Sequence, residues 1–183
     1  MKKTETKKEF DSEVLSISRV ERMTGGGRRL RFRTLVIVGD KRGRVGAGTA
    51  KGGDVQESIE KATKKAQRSV VRVPISESGT IPHEVKAKYG AATVLLKPQT
   101  EGRGLVAGGT VRTICSMAGI VNISGKILGN TRNKLNNAKA TIKALEELRV
   151  PQKSEKVEME EYTAEEEKKE EKSEKSEKEN KEE

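Results

Sequence analysis

The chain has 183 residues, 32% hydrophobic and 2% aromatic with no Trp: enough for one ordinary domain or two small ones cored by Val, Ile, Leu and Ala, with few rings for stacking bases. A single cysteine, Cys115, and a single histidine, His83, exclude an internal disulfide and a cysteine-based zinc cluster and fit a reducing, cytoplasmic setting; no apolar run approaches the roughly 20 residues that span a bilayer, so neither a membrane anchor nor a secretory signal is expected. The net charge of +10 hides a division, because residues 1–150 carry 30 Lys and Arg against 14 Asp and Glu, or +16, whereas 151–183 carry 8 against 14, or −6.

Glu13 to Arg22, rich in Val, Leu and Ile, reads as a strand that runs to a turn at Gly25-Gly26-Gly27. In RRLRFRTLVIVGD, Arg28 to Asp40, the residues Leu30, Phe32, Val36 and Val38 alternate with Arg31, Arg33, Leu35 and Ile37, which predicts a second strand whose far half is buried on both faces. Asp40-Lys41-Arg42-Gly43 is a turn before a short, glycine-rich third strand, Arg44 to Thr49. Asp54 is placed as a helix N-cap with Glu57 three residues on, and Val55, Ile59, Ala62, Ala66 and Val70 recur at helical spacing until Pro74 closes the segment. The opposite face of that helix, with Lys61, Lys64, Lys65 and Arg68, is read as mostly solvated.

Pro74 to His83 is turn-like, and a second periodic block starts near Val85: an apolar run at Ala92–Leu96, a helix at Val111–Ala118, a strand at Gly119–Leu128 and a helix at Leu135–Leu148. The expected class is α+β in two units, residues 9–73 (three strands, then a helix) and 74–150. Residues 151–183 are almost entirely Glu, Lys and Ser, cannot repay the entropy of ordering, and are expected to be a disordered tail whose deletion leaves folding intact.

A strongly basic folded part attracts polyanions, nucleic acid foremost; an anionic membrane usually requires an amphipathic apolar face or a lipid, and none is visible. The tip Thr24-Gly25-Gly26-Gly27-Arg28-Arg29 joins glycines that permit close backbone approach to guanidinium forks that grip phosphate, with Arg19, Arg22, Arg31 and Arg33 on its flanks. The alternative is a glycine-rich turn with incidental charge. In GRVGAGTAKGG, Gly43 to Gly53, Lys51 beside a helix N-terminus could hold a phosphate, although Asp54 opposes an anion there, and the stretch lacks the acidic partner of a dinucleotide fold and any Walker ending. Glu101 to Thr110 leads into the next helix in the same way, and Gly129 to Lys134, with Arg132, is either a phosphate clamp or an ordinary polar helix start. Catalysis has little support: His83 stands alone between Pro82 and Glu84, Cys115 reads as a small core residue, and no cofactor or metal site is expected.

Taken in order, Gly27-Arg28, Phe32, Val36-Ile37-Val38-Gly39-Asp40 and Gly43-Arg44-Val45-Gly46-Ala47-Gly48 resemble the signature of the S-five family of small-subunit ribosomal proteins, and the likeness runs on through Lys51, Glu101, Gly104, Ala107-Gly108-Gly109, Arg112, Ala118-Gly119 and Ala140-Thr141. It covers roughly Glu9 to Leu148 and leaves out the acidic tail. The resemblance implies an N-terminal domain similar to double-stranded-RNA-binding domains and a C-terminal domain of a type also found in elongation-factor domain four and in some small-molecule kinases. Gly104-Leu105-Val106-Ala107-Gly108 lacks the serines of the kinase loop. The resemblance further implies a non-catalytic protein that binds 16S-type rRNA near the junction of body and head, meets ribosomal proteins S-four and S-eight, and influences the messenger path and decoding accuracy. It places Thr24 to Arg28 in rRNA near the spectinomycin site and makes Gly104 and Arg112 the positions toward S-four. Many relatives carry Lys where this chain has Gly25, and Asn-Pro where it has Asn133-Lys134. The rival is an RNA-binding adaptor that works away from the ribosome.

Overall fold

The computed structural model describes residues 10–149; the expected disorder of 151–183 falls outside the described residues. Three antiparallel strands, β1 (Asp11–Thr24), β2 (Gly27–Gly39) and β3 (Arg44–Gly52), lead into helix α1 (Val55–Arg68) and strand β4 (Val70–Arg72), giving a sheet of order β1-β2-β3-β4. A second sheet of order β5-β6-β8-β7 follows, built from β5 (Val85–Tyr89), β6 (Ala92–Pro98), β7 (Leu105–Ala107) and β8 (Ile123–Ile127). Helix α2 (Gly109–Ala118) connects the parallel pair β7 and β8, and α3 (Lys134–Glu146) packs on β5 and β6.

The double burial expected for β2 has a plain cause. Val36 and Val38 pack with Ala62 and Ala66 of α1, while Leu35 and Ile37, on the other face, join Val45 and the α2 residues Ile114, Cys115 and Met117 in a larger cluster. That cluster continues through Val94, Leu96, Ile123 and Leu145, so the two sheets share one core. Each fully buried Val or Ile contributes about 1.5–3 kcal/mol by leaving water. On the α1 side, the buried Thr34 and Ser58 hydroxyls lie 2.5 Å apart and tie helix to strand.

The glycine-rich third strand is explained by packing, not by phosphate. Gly46, Gly48, Ala50 and Gly52 alternate toward α1, and a Cβ added at Gly48 would stand 2.3 Å from the Ala62 carbonyl oxygen. The helix therefore lies directly on the strand backbone. Its start also differs from expectation: Asp54 occupies the N-cap position but makes no side-chain cap, and Glu57 instead accepts the Gly53 N–H at 2.7 Å. The ion pair with Lys61, aided by this N–H, holds the Glu57 carboxyl below its ordinary range.

Two short strands differ from what the sequence predicts. Helical spacing carries α1 on to Val70, but the helix stops at Arg68, and the valine-rich, β-branched segment Val70–Arg72 pairs with β3, Val71 opposite Val45. Leu105–Ala107 pairs with β8 inside a stretch that reads as loop. Gly119, expected to open a strand, is the left-handed C-cap of α2 at φ 88°. Its α-carbon abuts the β2–β3 turn, where Lys41 and Gly43 donate their N–H groups to Met117 and Ala118 carbonyls at 3.0 and 2.8 Å. Within that turn, partial burial alone would raise the Asp40 carboxyl, but the Arg44 side chain and the N–H groups of Arg42 and Arg44 bring it below its ordinary value.

Candidate nucleic-acid interface

The β1–β2 hairpin runs to a two-residue loop, Gly25-Gly26, closed by the pair Thr24 and Gly27 and by a 2.9 Å hydrogen bond from the Thr24 hydroxyl to the Gly27 carbonyl. Of the three tip glycines only Gly27 has a positive φ, 123°, and none has a neighbour within 4 Å of the place a Cβ would occupy. The tip is thus an open backbone that a sugar-phosphate chain can approach.

Strand alternation sorts the charges behind it. Arg22 is opposite Arg29, Val20 opposite Arg31, Ser18 opposite Arg33, and Arg33 in turn opposite Lys51. By this register Arg22, Arg29, Arg31, Arg33 and Lys51 share the face of the sheet that α1 does not cover, since the next residue, Thr34, is the one bonded to Ser58 of α1. All five are exposed, and from Ser18 to the tip no carboxylate occupies a register position on that face. Arg22, Thr24, Arg29, Arg31 and Lys51 line one open groove together with Val20 and Glu21, whose carboxylate pairs with Arg19 and Arg28, and Arg33 lines the next together with Arg132 and Lys134.

The sequence-predicted residues therefore do not form one cluster. Arg19 and Arg28 fall on the α1 side of the hairpin, where Glu21 sits 3.4 Å from Arg19 and 3.8 Å from Arg28. Lys51 does not serve the α1 N-terminus, as its neighbours in sequence suggest; strand alternation turns it to the opposite face, toward Arg33. Arg132 stands in the loop before α3, but the helix start behind it is already capped, with the Leu135 N–H donated to Asn133 Oδ1 at 3.1 Å. Gly104, left-handed at φ 70°, donates its N–H to Asn122 Oδ1 at 3.2 Å, and Arg112 donates to the Leu105 carbonyl at 3.3 Å. Neither residue lines the basic grooves. Arg31, Arg33 and Lys134 are the cations that sequence reasoning undervalued; the i, i+2, i+4 spacing of Arg29, Arg31 and Arg33 was the signal for the first two, and Lys134 had none. His83 is exposed, and Cys115 is wholly buried, which pushes its thiol up to about 12.

One exposed face of the first sheet thus gathers five cations, and the comparisons give the chain a family. Residues 10–74 match the family model for ribosomal protein S5, N-terminal domain, and residues 87–159 that for ribosomal protein S5, C-terminal domain. The chain belongs to the ribosomal protein S5 family. Its relatives include small ribosomal subunit protein uS5 of Thermotoga neapolitana, 48% identical over 149 residues, or 81% of this chain and 83% of the relative. Small ribosomal subunit protein uS5 of Mycoplasmopsis agalactiae is 45% identical, and uS5c of Spinacia oleracea 44%, each over 148 residues and 81% of this chain. This chain spans 64% and 48% of the length of those two. Membership in the ribosomal protein S5 family accounts for the two successive α+β units.

Proposed function

We propose that this ribosomal S5 protein grips 16S-type rRNA on the α1-free face of its N-terminal sheet, with the hairpin tip as the leading edge. The observation that carries the reading is the collection of Arg22, Arg29, Arg31, Arg33 and Lys51 on one uncovered face with no acid among them. Such a face holds phosphates and recognises shape; with so few aromatics in the chain, base stacking is secondary. Thr24 to Gly27 supply close backbone approach, Arg28 and Arg19 approach the RNA from the other side of the hairpin, and Arg132 extends the grip into the second unit. Residues 9–73 are then the RNA-binding unit. Residues 74–150 meet protein neighbours through the region of Gly104 and Arg112, with S-four and S-eight as the partners that the family resemblance supports. Contact with rRNA near the junction of body and head, and through it an influence on the messenger path and on accuracy, belong to the same proposal, as does a place on the cytoplasmic ribosome.

The test is a triple Arg22→Ala, Arg29→Ala, Arg31→Ala variant. It is expected to fold normally and to weaken rRNA binding, with the slope of log affinity against log salt falling by roughly 0.7–0.9 for each phosphate that is no longer neutralised. Wild-type protein should follow the small subunit when cell extract is fractionated at moderate salt. A chain that stays in the soluble pool, or a triple variant with unchanged salt slope, overturns the reading.

A further inference from the structure

The basic face does not end at Arg33. Its inner groove shares Leu35, Thr49 and Leu135 with a further groove that runs between the sheet and α3, and the chemistry changes there. The floor is apolar, made by Leu35, Ala47, Leu135 and Ile142, and the rim carries Lys65, Lys139 and Lys143, all exposed. Tyr89, one of two tyrosines in the chain, stands in the wall 40% exposed. Lys139 holds its ring in place, with Nζ 3.0 Å from the Tyr89 hydroxyl and 4.9 Å from the ring centroid. Glu146 is the single carboxylate in the lining.

We infer that this groove receives an unpaired nucleotide of the RNA whose backbone lies on the basic face. The inference rests on the RNA-binding reading above and adds to it a base-accepting pocket. A nucleobase is a flat apolar plate between charged phosphates, and this groove offers an apolar floor and an aromatic wall between ammonium groups. Lys143 is paired with Glu147 at 3.7 Å, but an apolar peptide would leave Lys65 and Lys139 without counter-charge, whereas an RNA strand supplies phosphates on both sides of the base. Continuity with the Arg33, Arg132 and Lys134 groove delivers the strand to the pocket without crossing an acidic surface.

The full chain is titrated with an RNA duplex of about 16 base pairs, blunt or with a short single-stranded adenosine overhang. Wild type should prefer the overhang by roughly tenfold, the scale of one stacked base. Tyr89→Ala should abolish the preference while leaving blunt-duplex affinity and thermal midpoint unchanged, and Tyr89→Phe should retain it. A 4-thiouridine placed in the overhang should cross-link to the peptide that contains Tyr89. Equal affinity of wild type for both RNAs, a preference that survives Tyr89→Ala, or displacement of the overhang by a Glu- and Leu-rich peptide that leaves the duplex bound would overturn the inference. Failure of wild type to bind either RNA would instead bring down the parent reading, and this one with it.

Discussion

At Gly48 a methyl group would stand 2.3 Å from the Ala62 carbonyl oxygen and 2.5 Å from the Ala66 nitrogen, backbone atoms of a helix that cannot yield locally. At Gly26 the same methyl would meet nothing within 4 Å. Gly48→Ala is therefore expected to destabilise the protein by about 1–3 kcal/mol, the usual cost of overpacking, and Gly26→Ala by less than about 0.5 kcal/mol. Urea unfolding of the two variants checks this, and equal midpoints would contradict the close helix-strand approach. The sequence shows both glycines but not their separate roles, because Gly48 is constrained by a helix residue, Ala62, 14 positions further on, whereas Gly26 answers only to its own turn. Lys51 teaches the same lesson for charge. Its neighbours in sequence point to the start of α1, and a single step of strand alternation turns it the other way.

Along the β1–β2 hairpin, alternation makes two chemically different faces from one arginine-rich sequence. Arg29 and Arg22 pair across the uncovered face, while Arg28 shares the α1 side with Glu21, 3.8 Å away, and with the exposed apolar side chains Met23 and Leu30. Reversing charge at adjacent positions should then have unequal effects. Arg29→Glu is expected to weaken rRNA binding by roughly tenfold or more, since it puts an anion among four cations, and Arg28→Glu by only a few-fold, because its surroundings already hold a carboxylate. Filter binding at two salt concentrations distinguishes them, and equal losses would mean that RNA is held as strongly on the α1 side of the hairpin as on the uncovered face. The existence and the period of these strands were legible in RRLRFRTLVIV. Which face stays open was not, because that depends on where α1 lies. The three-residue strands β4 and β7 were illegible for a related reason: each is fixed by a partner distant in sequence, as Val71 is by Val45, and three residues carry no period of their own.

The family matches divide the chain at two domains, yet the packing joins them: Leu35 and Ile37 of the first sheet belong to the same buried cluster as Ile114, Ile123 and Leu145. Composition and periodicity predicted two α+β units and could not show this, since a residue buried against its own helix and one buried against the next unit look alike in sequence. The shared core bears on function, because the grooves that run from Arg33 to Ile142 are lined by both units and keep their shape only while the two stay docked. Ile114 tests the coupling. It is fully buried in α2 within the cluster that both sheets share, so Ile114→Ala removes packing from that common core and is expected to cost about 2–5 kcal/mol. If residues 10–149 unfold as one unit, thermal unfolding of the variant remains a single transition at lower temperature, and native-state hydrogen exchange accelerates together at β2 and β8 amides. Protected β2 amides alongside rapidly exchanging β8 amides would mean that the halves open independently, and the continuous RNA track across their junction would lose its structural basis.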